Sequence, residues 1–284
     1  MIDNMIDNEK AEAKSKEYGH YLQKAILPLY VKDHDRNQFD YIATLTLVTY
    51  RNNYVLLTAK HALENIKDLR KSLYFLLTDG RFNPILSNPL SNVEFIPDVD
   101  LAIIHVFELY DGKLYFDLNI NNFDESLINS KCFHWIGYPS SRSKGAISGK
   151  KSPKATVDRF IEYNSDSIKM KTIRYFHLRS KLKEINSEKI VGLYDQNNVS
   201  NHNGTKRKGP KLNGMSGGAM YFPLHDRYIL FGDKNNYNAH FIGIGIEHHK
   251  NTNEIIGIHR NLIIKKLDEY LEKQNVTVKL GSTL

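Results

Sequence analysis

Ser216 sits in the stretch KLNGMSGGAMYF, Lys211 to Phe222, with Gly214 two residues before it and Gly217 and Gly218 directly after. A serine hydroxyl attacks a carbonyl at neutral pH only if a base takes its proton and donors hold the oxyanion that develops. Glycines around such a serine supply backbone conformations closed to other residues and let a substrate approach the main chain closely. The amides of Gly214 and Ser216 can then point at one carbonyl oxygen. Alone, the segment is equally a glycine-rich turn that happens to contain a serine, so a base and an orienting acid must be sought elsewhere.

The base candidate lies in YVLLTAKHALENI, where an apolar run ends at Thr58 and Ala59 and His61 follows at the start of a short helical turn. A histidine at a strand end is held rigidly and still faces a cleft. The chain has 12 histidines, so His61 stands out by position, not by type. The acid lies in FIPDVDLAIIHVF. Asp98 and Asp100 both precede a buried run and share a face if the segment is extended, so either can bond an imidazole nitrogen and fix its tautomer.

These residues need a scaffold, and the chain supplies β-branched and aromatic runs bounded by Asn, Asp, Gly and Pro. YIATLTLVTY, YVLLTA, LYFLLT, DLAIIHVF, CFHWIGY, IRYFHLR, RYILFG, HFIGIGIE and EIIGIH read as strands, which predicts an all-β barrel or sandwich. Only the last segment has strong helical periodicity: Leu262, Ile263, Leu267, Tyr270 and Leu271 share one face of a helix over 261–275. Near the start, Tyr18, Leu22 and Ile26 are spaced four apart in a helix-forming arm over 1–27. Turn residues around 118–131 divide the rest into a first barrel, 28–125, carrying His61 and Asp100, and a second, 126–284, carrying Ser216. Packed barrels leave a cleft, where chemistry usually sits.

The ordered segments TAKHAL, DLAII and GMSGGAM resemble the three signatures of the trypsin/chymotrypsin-like serine peptidases, T-A-x-H, D-[IVL]-A-[LI] and G-x-S-G-G, in that family's order. WIGYP at 135–139, HFIGIGIEHH and the closing EIIGIHRNLIIKKLDEYLEKQ are similar to later strands and the last helix of the same fold. The likeness extends over about residues 28–273 and implies two packed six-stranded antiparallel barrels. It also implies roles: Ser216 the nucleophile, His61 the general base, Asp100 rather than Asp98 its orienting carboxylate, and the Gly214 and Ser216 amides the oxyanion hole. The implied reaction is endopeptidase acyl transfer, needing no metal and no organic cofactor. The substrate-binding positions it implies are Pro210, Lys211, Ile246, Glu247 and His248.

Two departures matter. Met215 stands where secreted digestive members carry the aspartate that pairs with a newly cut N-terminus, so activation by cleavage is not expected. Pro210 stands where enzymes cutting after Lys or Arg carry an aspartate, and the cluster Glu247, His248, His249 leaves the sign of any preferred charge open. Adjacent histidines on a strand face opposite ways, which argues against a shared metal ion.

Composition sets outer bounds. A formal charge of +7, with its densest cluster GTKRKGPK at 204–211, reads as a solvated basic surface and a polar connector over 195–211, not as a nucleic-acid motif. A mobile loop gating the serine is the sharper reading of that connector. The lone Cys132 excludes an internal disulfide and reads as a core thiol. No apolar run is long enough to span a bilayer and no secretory leader is visible, so the expected location is the cytoplasm and no membrane partner is expected. The expected partners are a protein or peptide substrate and, by analogy alone, a regulatory protein in stress response or phage defence. An inactive trypsin-fold binding module and a basic nucleic-acid-binding β protein are the competing readings.

Overall fold

The computed structural model describes residues 19–76, 81–107, 110, 112–119, 131–142, 147–148, 161–164, 167–170, 174–200, 205–223 and 239–281. Eight strands come first: β1 (Ile26–Asp33), β2 (Gln38–Tyr50), β3 (Asn53–Thr58), β4 (Leu73–Leu76), β5 (Phe82–Pro84), β6 (Asn92–Ile96), β7 (Leu101–Val106) and β8 (Phe116–Asp117). After β9 (Cys132–Gly137) come the short β10 (Ile147–Ser148), β11 (Ile161–Asn164) and β12 (Ser167–Met170). Then follow β13 (Phe176–Ile185), β14 (Lys189–Leu193), β15 (Val199–Ser200), β16 (Lys206–Arg207), β17 (Ala219–Pro223), β18 (Ala239–His249) and β19 (Glu254–His259).

Strands β13-β14-β19-β18-β17-β9 close an antiparallel six-stranded barrel. The first sheet runs β5-β4-β1-β2-β3-β7-β6, with β8 and β10 added to β2, and curls without joining β5 to β6. The architecture is mostly β, as the sequence predicts: the second unit is the expected closed six-stranded barrel, and the first is a curled half-barrel of nine strands. The C-terminal helix is longer than expected, Arg260–Gly281, and begins directly after β19. Of the amino-terminal arm, residues 19–22 are helical and a 3-10 turn, Gln23–Ala25, leads into β1 at Ile26, two residues before the expected boundary. The rest of the arm, the RYILFG run and most of the expected boundary lie outside the described residues. Strands β1, β5 and β6 were not among the runs singled out in the sequence.

Burial follows a two-residue period. Leu56, Ala102 and Ile104 fill the interior of the first sheet with Ala43, Leu45 and Leu47. Their neighbours Leu57, Leu101 and Ile103 face the other way, into a second core shared with Ile136, Tyr221 and Ile244 of the closed barrel and with Ile263 and Leu267 of the helix. Strands β3 and β7 are buried on both faces, which is why they read as unbroken apolar runs. A third core, including Phe133, Trp135, Met215 and Met220, fills the closed barrel. Cys132 is only half-buried at the entrance of β9, so it is not the core thiol expected.

The helix is therefore a wedge that seals the core between the sheets, and Leu267 is fully buried in it. Leu267→Ala should destabilise the chain by about 2–5 kcal/mol, because a cavity opens where the structure cannot collapse. Equilibrium denaturation against the unsubstituted chain measures it.

Candidate active site

The pairing of β3 with β7 builds the first half of the site. Thr58 lies opposite Ala102, and continuing that register by two residues sets Lys60 opposite Asp100. A long bond from the Lys60 amide to the Asp100 carbonyl, 3.4 Å, carries the ladder one step past the strands. A 3-10 turn, Lys60–Ala62, then swings His61 over the acid. Asp100 accepts twice from the same residue: its Oδ1 from the His61 amide at 2.9 Å and its Oδ2 from the imidazole Nδ1 at 2.6 Å. Backbone and ring are both fixed, leaving Nε2 for chemistry.

That carboxylate raises the His61 pKa above the ordinary imidazole value; burial opposes it, and the charges of Asp100, Glu247 and Glu64 add to it. Asp98, the alternative acid, is elsewhere. Its exposed carboxylate bonds Lys266 of the C-terminal helix at 3.0 Å, and that bond holds its pKa down.

The second half is the segment Asn213–Gly218, which the two sheets hold from opposite sides. Along β2, Ala43, Leu45 and Leu47 point into the first core, so Thr44 and Thr46 point out of it, toward this segment. Both threonines are fully buried, and a buried hydroxyl is costly unless bonded. Thr44 donates its amide to the Ser216 carbonyl at 3.0 Å and its Oγ1 to the Gly214 carbonyl at 2.9 Å. Thr46 Oγ1 donates to the Gly217 carbonyl at 2.6 Å. From the closed barrel, the Gly217 amide donates to the Gly245 carbonyl at 2.7 Å and the Gly245 amide to the Gly218 carbonyl at 2.9 Å.

Two positions in the segment require glycine. Gly214 has φ +87°, and a Cβ there would stand 2.7 Å from Tyr41 Cε1. Gly217 has φ +86°, and a Cβ would stand 2.1 Å from the Thr44 carbonyl oxygen and 2.8 Å from Thr58 Cα. This contact sets the residue after Ser216 against the end of β3, three residues before His61. The segment that carries Ser216 thus packs on the end of the strand that leads to His61.

Two peptide units in the segment leave an amide unused. The Asn213 carbonyl accepts from the Ser140 amide at 2.6 Å, and the Met215 carbonyl from the Gly218 amide at 2.8 Å. In a trans peptide the amide opposes its carbonyl, so the Gly214 and Ser216 N–H groups point away from these anchors. Among the described residues neither makes a hydrogen bond, whereas the Met215, Gly217 and Gly218 amides all do. Two free donors flanking a serine are the arrangement that stabilises an oxyanion.

Ser216 Oγ does not bond His61; it donates to the Ile246 carbonyl at 2.9 Å. Ile246 is the extra residue of a bulge, since β18 and β19 pair Gly245 with Gly257 and then Glu247 with Ile256. Bulges re-aim backbone groups near sites. Beyond it, exposed Glu247 bonds His249 Nε2 at 2.6 Å, while half-buried His248 packs its ring on Tyr194, 5.3 Å between centroids. Burial lowers the His248 pKa. The Tyr194 hydroxyl donates to the carbonyl of buried Pro210 at 2.7 Å, and Lys211 beside it is exposed. The five expected substrate-binding residues thus fall in two stretches, 210–211 and 246–248, tied together through Tyr194.

In the described part of the basic connector, Val199–Ser200 pairs with Lys206–Arg207, and the Gly209 amide donates to the Gln196 carbonyl at 2.7 Å. Residues 201–204 lie outside the described residues. Met215 is fully buried in the closed barrel's core. Tyr41, Thr44, Thr46 and Ser140 were not anticipated; the alternation in ATLTLV, with threonines at every second place, is the signal that could have found two of them.

No family model and no curated relative matches the sequence. Solved structures do match, and three of them do so at low identity. A serine protease of human pathogenic astrovirus is 10% identical, with a TM-score of 0.38 over 83% of this chain and 89% of that one. A serine endoprotease from Yersinia pestis is 11% identical, with a TM-score of 0.49 over 89% of this chain and 65% of that one. A Glu endopeptidase is 14% identical, with a TM-score of 0.42 over 88% and 91%.

The two aspartates separate by titration. The His61 midpoint, followed by NMR, should lie above the ordinary imidazole value, fall in Asp100→Asn and stay in place in Asp98→Asn. By its own strand order, a closed six-stranded barrel beside a curled half-barrel sheet with a helix sealing the junction, the chain has a mostly β architecture consistent with a trypsin-like double barrel.

Proposed function

We propose that this chain is a serine endopeptidase that cleaves protein substrates through an acyl-enzyme. The observation that carries the reading is the doubly bonded His61–Asp100 pair, with Ser216 and two free amides on the segment packed against the end of β3. In the proposed cycle Ser216 Oγ turns from the Ile246 carbonyl and attacks the peptide carbonyl carbon. His61 Nε2 takes the hydroxyl proton, and Asp100 stabilises the imidazolium and fixes its orientation. The Gly214 and Ser216 amides hold the oxyanion. His61 then gives its proton to the leaving amine, which departs as the acyl–serine ester forms. Water, deprotonated by His61, releases the acid and restores Ser216. The cycle needs no cofactor. The substrate lies against 210–211 and the 246–248 edge, and a cytoplasmic setting with a regulatory partner, in stress response or phage defence, extends the same proposal by analogy.

One observation favours an inactive binding module: Ser216 Oγ rests on Ile246, not on His61. A fluorophosphonate probe separates the readings. Covalent labelling at Ser216, abolished in Ser216→Ala and slowed by about 10⁴-fold in His61→Ala, is expected of the enzyme. An unlabelled, correctly folded chain would leave the binding module.

The base must be neutral to act, and its pKa is raised. Labelling should therefore fade as pH falls through the His61 midpoint, and Asp100→Asn should move that limb to lower pH while slowing the plateau. A rate profile against pH checks both.

A further inference from the structure

The grip on Gly214 is more elaborate than a stable turn requires. Two hydroxyls from β2 converge on its carbonyl: Thr44 Oγ1 at 2.9 Å and the Tyr41 hydroxyl at 2.5 Å. Both also hold Tyr138, at the exit of β9. Thr44 Oγ1 accepts from the Tyr138 amide at 2.9 Å, and the Tyr41 hydroxyl contacts the Tyr138 carbonyl as well. Thr44 Oγ1 takes one proton and gives its own, and the Tyr41 hydroxyl lies 3.4 Å from it. Tyr41 has a single proton for two carbonyls. Burial pushes its pKa far up, so it remains a donor throughout the physiological range.

The position of this knot decides what it does. Gly214 joins two peptide units: the one before it carries the free Gly214 amide, and the one after it carries the gripped carbonyl. A glycine at positive φ rotates both units easily, and such a rotation would turn the free amide out of the cleft. The Ser140 amide secures the first unit through the Asn213 carbonyl, and Tyr41 and Thr44 secure the second. Met215, which follows, offers no charge to secure anything.

We propose that Tyr41 and Thr44 are positioning residues that hold the Gly214 amide in place for the oxyanion, so that the hole is set by the first sheet and not by a cleaved terminus. The inference rests on the endopeptidase reading. Neither residue touches the reacting atoms; each acts through the Gly214 carbonyl. An amide that meets charge only in the transition state contributes to kcat and not to substrate affinity, so its loss appears in kcat.

The test measures kcat and KM on fluorescein-labelled casein, with a fluorophosphonate label counting active sites. Tyr41→Phe and Thr44→Val should each lower kcat by about 10-fold or more, within the range for losing one oxyanion donor, with KM little changed. Thr44→Ser, which keeps the hydroxyl and drops the methyl, should retain most of the rate. Wild-type kcat in both Tyr41→Phe and Thr44→Val, a loss carried by KM, or a Thr44→Ser loss as deep as that of Thr44→Val would each overturn the inference and leave the endopeptidase standing. A wild-type chain that neither cleaves nor labels would overturn the endopeptidase reading and this one together.

Discussion

The site depends on one strand of the first sheet reaching across to hold carbonyls of the second. Through Tyr41, Thr44 and Thr46, β2 bonds the carbonyls of Gly214, Ser216 and Gly217 in sequence. A backbone carbonyl buried at a junction must be bonded, and here the bonds that satisfy it also aim the neighbouring amides. The same two-residue period that sends Ala43, Leu45 and Leu47 into the first core delivers these threonines to the cleft. Packing and chemistry are therefore set by one register: a slip of one residue in β2 would bury the threonines in the first core and turn the leucines against Ser216.

Around that strand the remaining parts divide the work. The ladder between β3 and β7, extended past its last pair, sets His61 over Asp100. The closed barrel supplies the Gly245 bonds from the other side, and the bulge at Ile246 turns a carbonyl toward Ser216. The C-terminal helix seals the core beneath them, and Lys266 on it occupies Asp98. That ion pair leaves Asp100 as the carboxylate on the imidazole.

Much of this was legible in the sequence because it is local. TAKHAL, DLAII and GMSGG are short, and the reasons for their residue types are carried within a few positions. Asp98 and Asp100 could not be separated by burial or spacing, since the difference lies in a helix that brings Lys266, 168 residues away, to Asp98. The open edge of the first sheet and the two-residue extension of β1 also escape a local reading, because strand pairing depends on neighbours remote in the chain. Tyr41 was hidden for the same reason: an aromatic in a strand reads as packing until its hydroxyl is seen between Gly214 and Tyr138.

The most direct measurement is a crystal structure of the chain reacted with a peptidyl boronate, whose tetrahedral adduct imitates the acyl-transfer intermediate. The account predicts a bond from Ser216 Oγ to boron, one boron oxygen about 2.7–3.1 Å from both the Gly214 and Ser216 amides, and the Ile246 carbonyl released by the hydroxyl. An adduct whose oxygens avoid those amides, or a serine that stays on Ile246 with no adduct formed, would contradict it.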